Sequence, residues 1–137
     1  MAVVEELIRK EADGTLSFGN YELATKSKRS DFEYEGDLYK IKTFAEITKL
    51  EKNGRFVYES VPGTTVTNMK CNEDGITLTV EGKEDAQVTL ELEAEKEYDV
   101  CIHGRDSGVM KTNLGGKLNI SVELDAGVPV QIAVVEK

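Results

Sequence analysis

The chain has 137 residues, enough for one domain-sized core, with 39% hydrophobic and 31% charged side chains, a balance that excludes a disordered chain. One histidine and two cysteines are too few for a zinc ribbon or a disulfide-stapled scaffold. The formal net charge of −9 weighs against nucleic acid and membrane surfaces as partners, because an acidic coat repels phosphate.

At the N-terminus, Met1-Ala2-Val3-Val4 meets Glu5-Glu6 at once, unlike the basic start and apolar stretch of a secretory signal. The longest apolar run elsewhere, Ile132 to Val135, is far short of a membrane span. The expectation is a cytoplasmic protein with Cys71 and Cys101 as free, reduced thiols. Val3, Val4, Leu7 and Ile8 fit one stripe of a two-turn helix, or an edge strand feeding a hairpin at Asp13-Gly14. Thr43 to Lys49 is ambiguous in the same way.

Elsewhere the hydrophobic period is two, the mark of half-buried antiparallel strands. Glu35-Gly36-Asp37 separates Phe32-Glu33-Tyr34 from Leu38-Tyr39-Lys40-Ile41. Asn53-Gly54 and Asp74-Gly75 are two-residue hairpin signals, since both residue types tolerate positive φ. Val61-Pro62-Gly63-Thr64 reads as a type II turn with a left-handed Gly63. Inward rows follow at Ile76, Leu78 and Val80; Val88, Leu90 and Leu92; Tyr98, Val100 and Ile102; Leu118, Ile120, Val122 and Leu124; and Val130, Ile132 and Val134. Leu114-Gly115-Gly116-Lys117 is a further turn.

Strands every 8–12 residues point to a sandwich or barrel. The reading is all-β: an antiparallel β-sandwich over residues 69–137 with an N-terminal β-hairpin region over residues 1–66, or a single domain overall. Charge divides with it. Residues 1–68 carry 10 basic and 12 acidic groups, residues 69–137 carry 7 and 14.

All but one of the nine aromatics lie in residues 18–58. Phe32 and Tyr34 share a strand face, as do Phe56 and Tyr58, which suits core packing with hydroxyls at the rim. An oligomer surface and a ligand platform are the alternatives, with Tyr34, Tyr39 and Tyr58 as the platform candidates. The carboxylate groups Glu33, Glu35 and Asp37; Glu84 and Asp85; and Glu91, Glu93 and Glu95 read as solvated faces. Glu91 and Glu93, about 7 Å apart on one strand face, would also meet the spacing of a glycosidase pair. His103 reads as an exposed turn residue. No catalytic constellation, metal set or cofactor motif emerges.

Two resemblances add to this. The pattern Tyr98-x-Val100-x-Ile102-x-Gly104, Gly108-x-Met110-x-Thr112-Asn113 and Gly116-x-Leu118-x-Ile120-Ser121-Val122-x-Leu124 resembles the last strands of the small immunoglobulin-like sandwiches attached to bacterial carbohydrate-active enzymes. The stretches Ser17–Tyr21, Lys42–Phe44, Lys49–Gly54, Tyr58–Thr64 and Lys111–Lys117 resemble short bacterial proteins labelled endosialidase-like. That resemblance implies glycan binding or processing and carries over no catalytic residues. The leading expectation is a non-catalytic interaction or structural module that self-associates into a homo-oligomer. The alternative is a carbohydrate-binding or glycan-processing protein.

Overall fold

A computed structural model describes residues 3–137. The fold is all-β, with 61% of the described residues in strands and no helix among them. In chain order the strands are β1 (Ile8–Lys10), β2 (Leu16–Phe18), β3 (Ser27–Tyr34), β4 (Asp37–Phe44), β5 (Ile47–Lys52), β6 (Arg55–Val61) and β7 (Thr65–Asn72). They continue as β8 (Gly75–Glu81), β9 (Ala86–Glu91), β10 (Glu97–Ile102), β11 (Arg105–Lys111), β12 (Lys117–Val122) and β13 (Val130–Glu136). They form two antiparallel sheets that pack as a sandwich. The first runs β1-β2-β7-β8-β13-β10-β11, the second β12-β9-β6-β5-β4-β3.

Each sheet takes strands from both sides of residues 66–69. One apolar cluster fills the space between them, from Ile8 and Phe18 through Ile41, Leu50 and Tyr58 to Leu118 and Ile132. The Phe18 and Tyr58 rings meet edge to face across it, with centroids 5.3 Å apart. The alternating rows fix the register. Leu78 opposes Ile132, and Leu118 and Tyr58 both oppose Leu90. All four of the Leu118–Leu124 row are buried, so a one-residue slip would expose them together.

Neither ambiguous segment is helical: residues 4–7 form a turn, with the Leu7 N–H bonded to the Val4 carbonyl and Leu7 at a φ of 75°, before Ile8 opens β1, and residues 43–49 complete β4 and begin β5 around a turn at Ala45 and Glu46. The Asn53-Gly54 turn is as expected, with φ of 51° and 79°, the doubly left-handed geometry that matches strand twist. Two other turns differ from expectation. In the β7–β8 hairpin the loop residues are Glu73 and Asp74, because Asn72 pairs with Gly75. The Asn72 side-chain oxygen accepts from the Asp74 and Gly75 N–H groups. Gly75 serves instead as a point of close approach, since a Cβ there would collide with the Val134 carbonyl. The Val61–Pro62 bond is cis and Gly63 is not left-handed, so this is no type II turn. Gly63 is required because a Cβ would strike the Phe44 carbonyl.

The expectation for Phe56 is also corrected. A bulge between Leu50 and Glu51 shifts the β5–β6 register. Val57 packs on the core beside Tyr58, and Phe56 lies under the Lys117 ammonium, 4.8 Å from its ring centroid.

One end of the sandwich is closed by buried hydroxyls. Thr64 Oγ1 lies 2.8 Å from the Tyr58 hydroxyl and 2.7 Å from Ser60 Oγ. The Thr48 hydroxyl donates to the Thr64 carbonyl and accepts from its N–H. It also pairs with Thr43 Oγ1, which accepts from the Asn20 N–H. Three strands of the second sheet are thereby tied to the segments entering β3 and β7. Tyr21, 2% exposed, lies outside this network, and its hydroxyl has no hydrogen-bond partner among the described residues.

Two consequences are testable by urea denaturation. Tyr58→Phe should lose about 1–2 kcal/mol by stripping a buried hydrogen bond, whereas Tyr21→Phe should be neutral or stabilising. Burial pushes the Tyr58 phenol from 10.0 up to about 12. A raised folded-state pKa means the neutral phenol's contribution is complete below pH 10 and is lost as pH climbs towards 12. Wild type should lose about 1.4 kcal/mol per pH unit from this group across that window, a component that Tyr58→Phe removes.

Candidate functional site

The opposite end of the sandwich is open. Consecutive turns of a meander alternate between its two ends, so the Glu35-Gly36 and Asn53-Gly54 turns fall together in the second sheet. The Glu73-Asp74 turn faces them from the first. Between them lies a cleft of about 590 Å³, within the range of small-molecule sites. Its apolar wall holds Tyr39, Phe56, Met69, Ile76 and Leu92. Its polar groups include Asp37, Asn53, Arg55 and Glu91.

The Tyr34 and Tyr39 rings stack edge to face, centroids 5.6 Å apart. The Tyr34 hydroxyl donates to the Gly14 carbonyl at 2.6 Å, pinning the β1–β2 hairpin over this end. Asn53 fixes the rim. Its side-chain oxygen accepts from the Leu38 N–H at 2.9 Å, and its Nδ2 donates to Asp37 Oδ1 at 2.8 Å. Lys52 Nζ holds the other Asp37 oxygen at 3.3 Å. Among the described residues, Arg55 and Glu91 make no ion pair.

The ionisation states follow from these contacts. The Asn53 hydrogen bond, with help from Lys52, holds the Asp37 carboxyl below its ordinary range. Desolvation raises both the Tyr34 and the Tyr39 phenols. Cys71 is exposed as a residue, yet desolvation on its cleft side still raises the thiol. At neutral pH the site therefore presents an ionised carboxylate, neutral phenols and a neutral thiol. It is suited to hydrogen bonding and apolar contact rather than to a thiolate nucleophile, which needs a depressed pKa.

Of the three tyrosine candidates, Tyr34 and Tyr39 line the cleft, but at 8% and 7% exposure they are part of its buried wall and present no open ring face. Tyr58 is fully buried and bonded to Thr64, and a stacking platform needs an open ring face. Glu35 and Asp37 line the cleft together. Glu91 does so without Glu93, which lies beyond β9, exposed and paired with Lys96 at 2.7 Å. Glu84 and Asp85 sit in the β8–β9 loop, where Asp85 accepts from the Leu124 N–H. His103 is an exposed turn residue with a φ of 55°. Cys71 and Cys101 are free. No group of three metal-ligating side chains occurs among the described residues. Arg55, Met69 and Leu92 were not anticipated in the site, and Arg55 follows directly from the turn at Asn53-Gly54. Compared with protein-family models, with curated proteins and with solved structures, the chain shows no match.

Asn53→Ala should raise the Asp37 pKa towards the ordinary value of about 3.9 in an NMR titration. It should also lower stability by about 1–2 kcal/mol, because the Leu38 N–H loses its acceptor and alanine is poorly suited to the left-handed position.

Proposed function

We propose that the protein is a non-catalytic binding module whose end cleft takes a small carbohydrate-like ligand. The observation that carries this reading is the composition of the cleft. An aromatic and aliphatic wall faces a rim of polar groups, and two of these, Arg55 and Glu91, have no ion-pair partner among the described residues. A sugar presents the matching surfaces: apolar C–H groups for the aliphatic side chains and ring edges of the cleft wall, and hydroxyls for the carboxylate, guanidinium and amide groups. Asp37 supports binding over acid catalysis. A general acid needs a raised pKa, and Asn53 drives this one down.

Self-association has its own supporting feature. β12 is an outer strand, paired to β9 over six residues without a bulge, with Lys117, Asn119 and Ser121 exposed along it. Such an edge can add a strand from a second copy.

Titration of a panel of neutral and acidic sugars, followed by amide chemical shifts, tests the ligand reading. The expected result is saturable shifts confined to residues around Tyr39, Asn53, Arg55 and Asn72. Arg55→Ala, an exposed change with little effect on folding, should weaken binding about tenfold or more by removing a charged hydrogen bond. Sugars that shift nothing, or shift Arg55→Ala and wild type alike, contradict it.

A further inference from the structure

The net charge conceals a segregated surface. On the outer face of the second sheet, Lys42 of β4 stands directly between Lys28 of β3 and Lys49 of β5. Lys40 lies two residues away on the same face of β4, and Lys26 just precedes β3. Like charges placed directly opposite destabilise a sheet, and none of these five lysines has an acidic partner within 4 Å among the described residues. Their mutual repulsion is felt at Lys42, whose pKa is lowered chiefly by Lys28 and then Lys26, with Lys49 and Lys40 adding to it. Glu51 stands directly opposite Lys40 and Glu59 directly opposite Lys49 on the same face, without coming within 4 Å of them, and Lys42 is the residue flanked by lysines on both sides.

The lysines do not stand alone. Phe44 and Ile47 form a direct cross-strand pair on this face and are half-buried. Leu38 at one end is 49% exposed and Val61 at the other 51%. The Lys26 ammonium lies over the Phe44 ring, 5.8 Å from its centroid.

We propose that the outer face of β3, β4 and β5 docks on an anionic lipid bilayer. The face carries five lysines centred on Lys42, with Glu51 and Glu59 on its β5–β6 side and apolar side chains at its borders, which complements a surface carrying negative head groups above hydrocarbon. Strands about 4.8 Å apart, with outward residues about 7 Å apart along each, spread the charges in two dimensions. Lysine is depleted at the centre of protein–protein interfaces, which disfavours a second copy here. Single-stranded nucleic acid is held by bare aromatic rings on which bases stack, and the one aromatic on this array, Phe44, is covered by Lys26. The acidic groups elsewhere do not forbid docking. At physiological salt, charges beyond about 8 Å are largely screened, whereas lysines in contact are not.

Co-sedimentation of the full chain with phosphatidylcholine vesicles, with and without phosphatidylserine, tests this. Binding should require phosphatidylserine and weaken as salt rises. Lys28→Gln/Lys42→Gln/Lys49→Gln should reduce it at least tenfold. The control Lys10→Gln/Lys83→Gln/Lys111→Gln makes the same charge change outside the second sheet and should have a smaller effect. The first triple variant should keep or raise the wild-type melting temperature, because it relieves repulsion, so lost binding cannot be ascribed to unfolding. The proposal is overturned if wild type ignores phosphatidylserine at low salt, or if both triples weaken binding equally. It is equally overturned if the lysines prove to hold a DNA oligonucleotide or a homo-oligomer in place of vesicles.

Discussion

The buried hydroxyl network around Thr64 sets the asymmetry of the molecule. Thr43, Thr48, Tyr58 and Ser60 come from three strands of one sheet, and Thr64 leads into the other. Each hydroxyl in that chain has a partner, so the polar groups are buried without the penalty that an orphan would incur. The requirement is strict. Backbone must come close enough for the bonds to form, and Gly63 sits where even a Cβ would meet the Phe44 carbonyl.

Closing one end leaves the other free to differ. There the two sheets are capped by hairpin turns rather than tied by shared hydrogen bonds, and their side chains line a cleft. The Tyr34 hydroxyl spans this end to the first hairpin, donating to the Gly14 carbonyl. Rigidity is supplied locally, by Asn53 holding both the β4 backbone and the Asp37 carboxylate. Positioned polar groups on short, well-anchored turns suit recognition, because little side-chain freedom remains to be lost when a ligand arrives.

Much of this architecture was legible in the residues. The rows at Ile76–Val80, Leu118–Leu124 and Val130–Val134 alternate cleanly, and all of their inward members are buried. What the pattern could not show was where a strand departs from it. The bulge at Leu50 and Glu51 reverses Phe56, and no residue type announces it. The role of Gly75 depends on Val134 of β13, far away in sequence, so local turn chemistry pointed to the wrong pair. The cleft was half visible: Tyr34 and Tyr39 were candidates, but bringing Met69 and Cys71 to them required the crossover of β7 into the opposite sheet. Tyr58 failed as a candidate because its aromatic ring is equally at home in a core. The lysine array was present in the alternation of Lys40 and Lys42, hidden by a sum over the whole chain.

Native-state hydrogen exchange measures the proposed asymmetry most directly, since it reports the opening free energy at each amide. The Thr64 N–H, bonded to Thr48 Oγ1, should exchange only through global unfolding. The Asp74 N–H, bonded to the Asn72 side chain in an exposed turn, should exchange through local opening at much lower free energy. Equal protection at the two sites, or exchange of Thr64 through a local opening, would contradict the view that the hydroxyl network locks one end of the sandwich while the other stays open.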